Sequence, residues 1–208
     1  MNTNTKRRWL KPALIVIAVA LGIAALGFAW YDYRFPSWEE EVLLPDGRKI
    51  VVKQRRDFIE GYGTRKTWLT FSLPEMGGER TWVEYMQPAL LGISKEGEVF
   101  VVGWPTGEKQ MGMYRHPRYG FVAFKWEHSS FERVPFTTVP EELRREENLI
   151  RCLPLSKGHF FSWETKIQAG CNANGEFVTG ASRQIDMQYM QDWALRQAKR
   201  NNIKPLSE

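Results

Sequence analysis

Few side chains in this sequence could do chemistry. Three histidines are present, His116, His128 and His159, and a metal site or a general base would draw on them first. No HxxxH, HxH or HExxH spacing links them, so a metal centre would have to be assembled across the fold. Glu127 and His128 are neighbours, but in an extended chain adjacent side chains point to opposite faces. All three histidines therefore read as structural or solvated groups, and no metal is expected. Ser156 sits in Leu155-Ser156-Lys157-Gly158-His159. The G-x-S-x-G turn that would expose a nucleophile is missing, so the stretch reads as a turn between strands. Gly61-Tyr62-Gly63-Thr64-Arg65-Lys66 is glycine-rich, but a phosphate loop opens a helix, and the segment from Lys66 on reads as a strand. No cofactor is expected. Acids are adjacent at Glu39-Glu40-Glu41, Glu141-Glu142 and Glu146-Glu147. A glycosidase needs two carboxylates facing each other across the scissile bond, whereas runs of this kind usually form solvated faces.

Cys152 and Cys171 are the two cysteines. In an oxidising compartment they would pair, closing a loop of about 20 residues worth roughly 3 kcal/mol. Two buried thiols, or one reactive thiol, are the alternatives. No CxxC or neighbouring histidine pair supports zinc.

Such groups must be positioned by something, and one stretch decides where. Leu10 to Tyr31 reads LKPALIVIAVALGIAALGFAWY. As a helix it would be roughly 33 Å long, enough to cross a bilayer core of about 30 Å. Lys6, Arg7, Arg8 and Lys11 precede its apolar core, while Asp32 and Arg34 lie beyond it. The basic flank stays in the cytoplasm, so the N-terminus is expected inside and the bulk of the chain outside. Trp9 sits at one end, and Trp30, Tyr31, Tyr33 and Phe35 at the other, where amphipathic rings settle among headgroups. Pro12 is expected in the first helical turn, where its missing N–H costs little. A cleaved signal peptide is the rival reading, with Gly27-Phe28-Ala29 as a small-x-small site. The apolar run exceeds a signal core and ends in aromatics, which favours retention. Ala18, Gly22, Ala25 and Ala29 form a small-residue stripe of the kind that lets two helices approach. Ala20, Ala24 and Gly27 form another, so no single dimer face stands out. A homodimer is left open.

The expected organisation is a cytoplasmic tail at 1–9, a span at 10–31, a linker at 32–37 and an exported domain at 38–208. Residues 1–35 carry five basic side chains and one acid, which leaves 24 Lys and Arg against 23 Asp and Glu beyond them. That balance lacks the basic surplus that displaces counterions from phosphates, so nucleic acid is excluded as a partner. The aromatic content is 13%. It serves either strand cores or a partner-binding face.

Within the domain, Leu44-Pro45-Asp46-Gly47 is a turn between strands at Glu39–Leu44 and Arg48–Lys53. Gln54–Lys66 is polar and reads as a loop. Lys66–Leu73 alternates, with Leu69, Phe71 and Leu73 on one face, and Arg80–Tyr85 is a further strand. Ala89–Ser94 and Glu98–Val102 flank Lys95-Glu96-Gly97. The continuous run Phe100-Val101-Val102 implies burial on both faces. Gln110–Tyr114 is a weaker strand, Tyr119–Trp126 a strong one, and Phe131–Phe136 another. A short helical stretch opens at Pro140. Strands are expected at Leu149–Leu155, Thr165–Ala169 and Glu176–Thr179, and a helix from about Arg183 to Arg200. The fold class is mainly β: an antiparallel sandwich or partly open barrel with a C-terminal helix, behind one transmembrane helix.

The hairpin LLPDGRKIVV is a generic strand-turn-strand, and no stretch forms a family signature. These features together read as a non-enzymatic, membrane-anchored binding or accessory protein of the bacterial envelope. It would sit in the inner membrane with its domain in the periplasm and act through contact with envelope proteins. An envelope hydrolase acting on peptidoglycan, with an acid such as Glu127, is the alternative. A structural anchor subunit is the third.

Overall fold

The arrangement comes from a computed structural model, which describes residues 3–59, 63–117, 120–144, 147–152, 160–171, 177–179, 196 and 199–200. The expected helix over 183–200 falls outside these except for Arg196, Lys199 and Arg200, which are helical.

The chain opens with α1, Thr3–Arg34. It is long and apolar enough to cross a membrane, and none of its apolar window is buried against the domain. The helix is longer at both ends than hydropathy alone suggests. It starts at Thr3 and runs through Lys6, Arg7 and Arg8, which are good helix formers, so Pro12 stands inside the helix and not in its first turn. At the other end it continues past Tyr31 to Arg34, and β1, Ser37–Leu43, begins after two residues. The Phe35 amide still bonds to the Tyr31 carbonyl at 2.8 Å, and the Arg56 amide takes the Pro36 carbonyl at 3.0 Å. The stretch 32–37 is thus a helix end stitched to a sheet.

Five strands form the first sheet. β1 pairs antiparallel with β2, Lys49–Ile59; β2 with β3, Gly63–Leu73; and β3 with β4, Gly78–Glu84. The two-residue β9, Phe160–Phe161, joins β1 in parallel. The turn after β1 forms because Gly47 takes φ 85°, and its amide reaches the Leu44 carbonyl at 2.9 Å. Arg48 then ties Asp46, at 2.6 Å, to Glu75 on the neighbouring hairpin. The Arg48 amide, 3.0 Å from Asp46 Oδ1, and then its guanidinium hold the Asp46 carboxyl below its ordinary range, and the guanidinium does the same to Glu75.

The second sheet runs β5, Gln87–Ile93; β6, Val99–Trp104; β7, Val122–Glu127; and β8, Ser130–Val134, all antiparallel. The two sheets share one core. Val42, Val52, Leu69, Phe71 and Trp82 come from the first, and Leu91, Val101 and Phe124 from the second. The other face of the second sheet is covered as well. Leu90, Phe100, Val102 and Ala123 lie under Phe121, Phe136, Val139 and Leu143. The Phe100–Val102 run is therefore buried on both faces, as its continuity implies.

Four expectations differ from the fold. Gln54–Ile59 is strand, not loop: β2 runs through it, paired with β3. Its low hydropathy hides Gln54 and Arg56, which point inward and find polar partners. The weak strand at Gln110–Tyr114 is instead α2, Glu108–Met113. Met111 and Tyr114, three apart, turn one helical face inward, and Gln110 accepts from the Thr106 amide at 2.7 Å. Thr165–Ala169 is not a strand. α3, Trp163–Ile167, is capped by Ser162, which accepts from the Thr165 amide at 3.2 Å. A short ribbon of β10, Ala169–Cys171, and β11, Phe177–Thr179, comes next. Finally, residues 149–152 form no strand, and the stretch after Pro140 is one 3-10 turn, Glu141–Leu143.

Candidate functional site

The inner face of the first sheet changes character along its length. At the Pro45 end it is apolar and meets the second sheet. At the α1 end it presents Trp38, Glu40, Gln54, Arg56 and Thr67, all buried. Residues 147–152 and α3 cover that end, and a polar network holds them there.

Glu40 is its centre. The carboxylate accepts from the Ile150 amide at 2.9 Å, from Trp38 Nε1 at 3.2 Å and from Gln54 Nε2. It also pairs with the Lys166 ammonium, and neither side chain is exposed to any degree. Lys166 donates further to the carbonyls of Glu41 and Asn148, each at 2.6 Å. Arg56 donates to the Ile150 carbonyl at 2.6 Å, to Gln54 Oε1 at 2.9 Å and to the Arg151 carbonyl, and lies 4.9 Å from the Trp38 ring. Burial pushes the Arg56 guanidinium down to about 9, with Glu40 pulling the other way. A buried charge survives only where such partners surround it. The network is a scaffold, since neither Glu40 nor Lys166 offers an exposed atom to a substrate.

What it positions is a cleft beside the β1–β2 turn. Leu43, Leu44, Pro45, Leu90, Leu143 and Trp163 line it, with Glu142, Glu147 and Asn148 as its polar groups. Its volume is about 370 Å³, within the range of pockets that bury a ligand. Asn148 is the keystone. Its Oδ1 accepts from the Leu91 amide at 2.9 Å, and its Nδ2 donates to the carbonyls of Leu91 and Leu43 at 2.7 and 3.2 Å. One side chain thus clamps β5 to β1, and its own carbonyl is held by Lys166. Trp163 is fixed through its amide, which bonds Glu41 Oε2 at 2.9 Å. Leu143 lies on β5 where Gly92 leaves room: a Cβ there would come within 3.1 Å of it. Glu147 is nearly buried and pairs with Arg151 at 3.3 Å. The cleft can take an apolar or aromatic group against Trp163 and the leucines, with a cation facing the carboxylates.

Among the described residues, none of the expected site residues lines it. Ser156 and His159 lie outside the described residues. His116 stands 3.8 Å from Glu108 at the end of α2. Glu127 is at the β7–β8 tip, 2.6 Å from Lys125, which holds its carboxyl below the ordinary range. A glycosidase acid needs the opposite shift. The expectation that Glu127 and His128 face apart is corrected. His128 and Ser129 have φ of 48° and 71°, so the chain turns there. Ligand atoms of Glu127, His128 and Glu132 come within 4.8 Å of one another. Lys125 already neutralises one of those acids, and the group stands at the surface. Cys152 is buried with Trp38, Ile150, Phe161 and Ala169, while the side chain of Cys171 lies outside the described residues. Trp30 and Tyr31 are exposed on the last turns of α1. Lys6, Arg7, Arg8 and Lys11 lie on the same helix upstream.

Sequence reasoning missed Glu40, Lys166, Asn148 and Trp163. The one usable signal was an acid in the β1 alternation, Trp38-x-Glu40-x-Val42, on the apolar face. No protein-family model matches this chain, and no curated protein or solved structure was found to resemble it.

Proposed function

We propose that this chain is a membrane-anchored binding protein of the bacterial envelope, non-enzymatic, that holds a partner protein through the cleft beside the β1–β2 turn. The observation that carries the reading is the cleft's composition and place. Its lining is apolar with two carboxylates, and it lies at the end of the first sheet remote from α1. β1 places about 20 Å of strand between Ser37 and Leu43. An extended segment of a partner bearing a basic side chain fits it: the alkyl stem lies against Trp163 and the leucines, and the charge meets Glu142. Tethering raises the effective concentration of such a site toward partners at the same membrane, so modest affinity suffices.

The test is cross-linking in the native envelope from a photoreactive residue at position 45, exposed on the rim of the cleft. One dominant protein should be captured, and Trp163→Ala with Glu142→Lys should abolish its capture. A reporter that works only outside the cytoplasm should be active when fused after Glu208, and neutralising Lys6, Arg7, Arg8 and Lys11 should weaken that orientation. Capture of many proteins at equal, low yield would sink the reading. The presence of Glu142 and Glu147 in one cleft favours a second reading, an envelope hydrolase. It would take first place if folded Glu147→Gln protein lost function while still capturing its partner.

The Cys152–Cys171 bond belongs to the same proposal, since it forms only in an oxidising compartment. Its support is that Cys152 clusters with Ala169, two residues before Cys171. Exported protein should show no alkylatable thiol without reductant, and Cys152→Ser should cost roughly 2–4 kcal/mol. Two thiols alkylated in native, unreduced protein would refute the pairing.

A further inference from the structure

The end of the first sheet nearest α1 carries rings and cations that neither the cleft nor the buried network uses. Arg55, Trp68 and Val83 stand in register across β2, β3 and β4. They alternate with the inward Gln54, Leu69 and Trp82, so they occupy the outer face. The Arg55 guanidinium lies 5.2 Å from the Tyr31 ring, 5.0 Å from Phe35 and 5.3 Å from Trp68, and donates to the Tyr31 hydroxyl. Lys66 Nζ lies 5.2 Å from Trp68 and 5.4 Å from Tyr85. Arg34, in the last turn of α1, pairs with Asp57 and donates to the Phe58 carbonyl. Arg65 is exposed, 3.9 Å from the same Asp57. Among the described residues no carboxylate pairs with Arg55 or Lys66. Among the described residues, the acids at this end of α1 and the sheet are Asp57, the exposed Asp32 and Glu39, and Glu84, which accepts from the Tyr114 hydroxyl at 2.6 Å, against Arg34, Lys53, Arg55, Arg65 and Lys66.

We propose that this collar is a docking surface for the phosphate headgroups of anionic lipids, in the leaflet where α1 leaves the bilayer. The proposal rests on reading α1 as a membrane span. If it spans, Trp30 and Tyr31 sit at headgroup level. Arg55 touches Tyr31 directly, so Arg55, Trp68 and Lys66 share that level. Rings beneath a guanidinium orient it without neutralising it. A guanidinium so held presents donors that match phosphate oxygens. The exposed Tyr85 and Val83 add the amphipathic and apolar contacts that interfacial segments use. The surface therefore lays the outer face of the first sheet toward the bilayer and fixes the tilt of the domain on its anchor. That tilt sets which way the cleft faces.

The test uses the full chain in lipid nanodiscs, either phosphatidylcholine alone or with phosphatidylglycerol. p-Benzoylphenylalanine replaces Tyr85, 39% exposed, or Val51, 50% exposed and four residues up β2 from Arg55. After irradiation, mass spectrometry reads lipid adducts. Position 85 should capture phosphatidylglycerol well above its share of the disc, and position 51 should not. Lys66→Gln and Arg55→Gln should each lower the capture about fivefold, as expected for loss of one cation at an anionic surface. Lys66→Gln serves as the safer variant, since Lys66 makes no buried hydrogen bond. Chain that enters discs but gives no more adduct at 85 than at 51 overturns the docking surface and leaves the anchor standing. Chain that does not enter discs overturns the anchor reading and this one with it.

Discussion

Replacing Glu40 with alanine should destabilise the domain by about 3–5 kcal/mol, the range for removing one partner of a buried ion pair. The loss is large because Glu40 is the only acid between two buried cations, Lys166 and Arg56, among the described residues of the network. Without it the Ile150 amide and Trp38 Nε1 lose their acceptor, and each buried donor left unpaired adds its desolvation cost. Lys166→Met should cost less, because Arg56 remains to balance Glu40. The double variant Glu40→Ala with Lys166→Met should cost less than the two single losses added, since it removes both charges of the pair. Urea unfolding of the full chain in detergent, monitored by tryptophan fluorescence, measures all three. Glu40→Ala unfolding within about 1 kcal/mol of the parent would contradict the burial of this pair. The variant should also lose partner capture at position 45, since Lys166 holds the Asn148 carbonyl that backs the cleft.

Trp82→Ala should cost about 3–5 kcal/mol, for a different reason: it opens a cavity where the two sheets meet. Trp82 is 1% exposed and meets Phe124 edge-on, with ring centroids 5.6 Å apart. The second sheet cannot collapse into the gap, because its other face is packed against Phe136, Val139 and Leu143. Trp82→Phe should cost much less than Trp82→Ala. It keeps a ring against Phe124 and removes a buried Nε1 that has no hydrogen-bond partner. The same unfolding measurement decides it. Equal losses in the two variants would show that the indole as a whole, and not the cavity, sets the cost.

The long apolar helix, the hairpin turns and the doubly buried strand were legible in the sequence because each rests on a local pattern. A run of apolar residues the length of a bilayer needs no tertiary partner to be recognised. Gly47 and Gly97 supply positive φ at turns whose type is set within four residues. Phe100-Val101-Val102 announces two apolar faces by its continuity. The aromatic end of α1 at Trp30 and Tyr31 was legible in the same way. Its continuation through Arg55 to Trp68 was not, because Arg55 meets Tyr31 and Trp68 only after the strands fold back onto the helix.

Tertiary structure decided everything that depends on a partner far away in the chain. Gln54 and Arg56 look like loop residues until Ile150, 94 residues beyond Arg56, supplies the carbonyl that lets an arginine be buried. Glu40 looks like part of an acidic run on a solvated face until Lys166 arrives from α3. Gln110–Tyr114 reads as a weak strand, and burial of Met111 and Tyr114 on one face chooses the helix. The cleft is the extreme case. Leu43, Leu90, Leu143 and Trp163 come from four separate segments, and Asn148 holds two sheets together with one amide group. Local sequence fixes backbone periodicity because that energy is summed over neighbours. Burial of a charge depends on desolvation balanced by specific distant partners, and no local pattern encodes where those partners will stand.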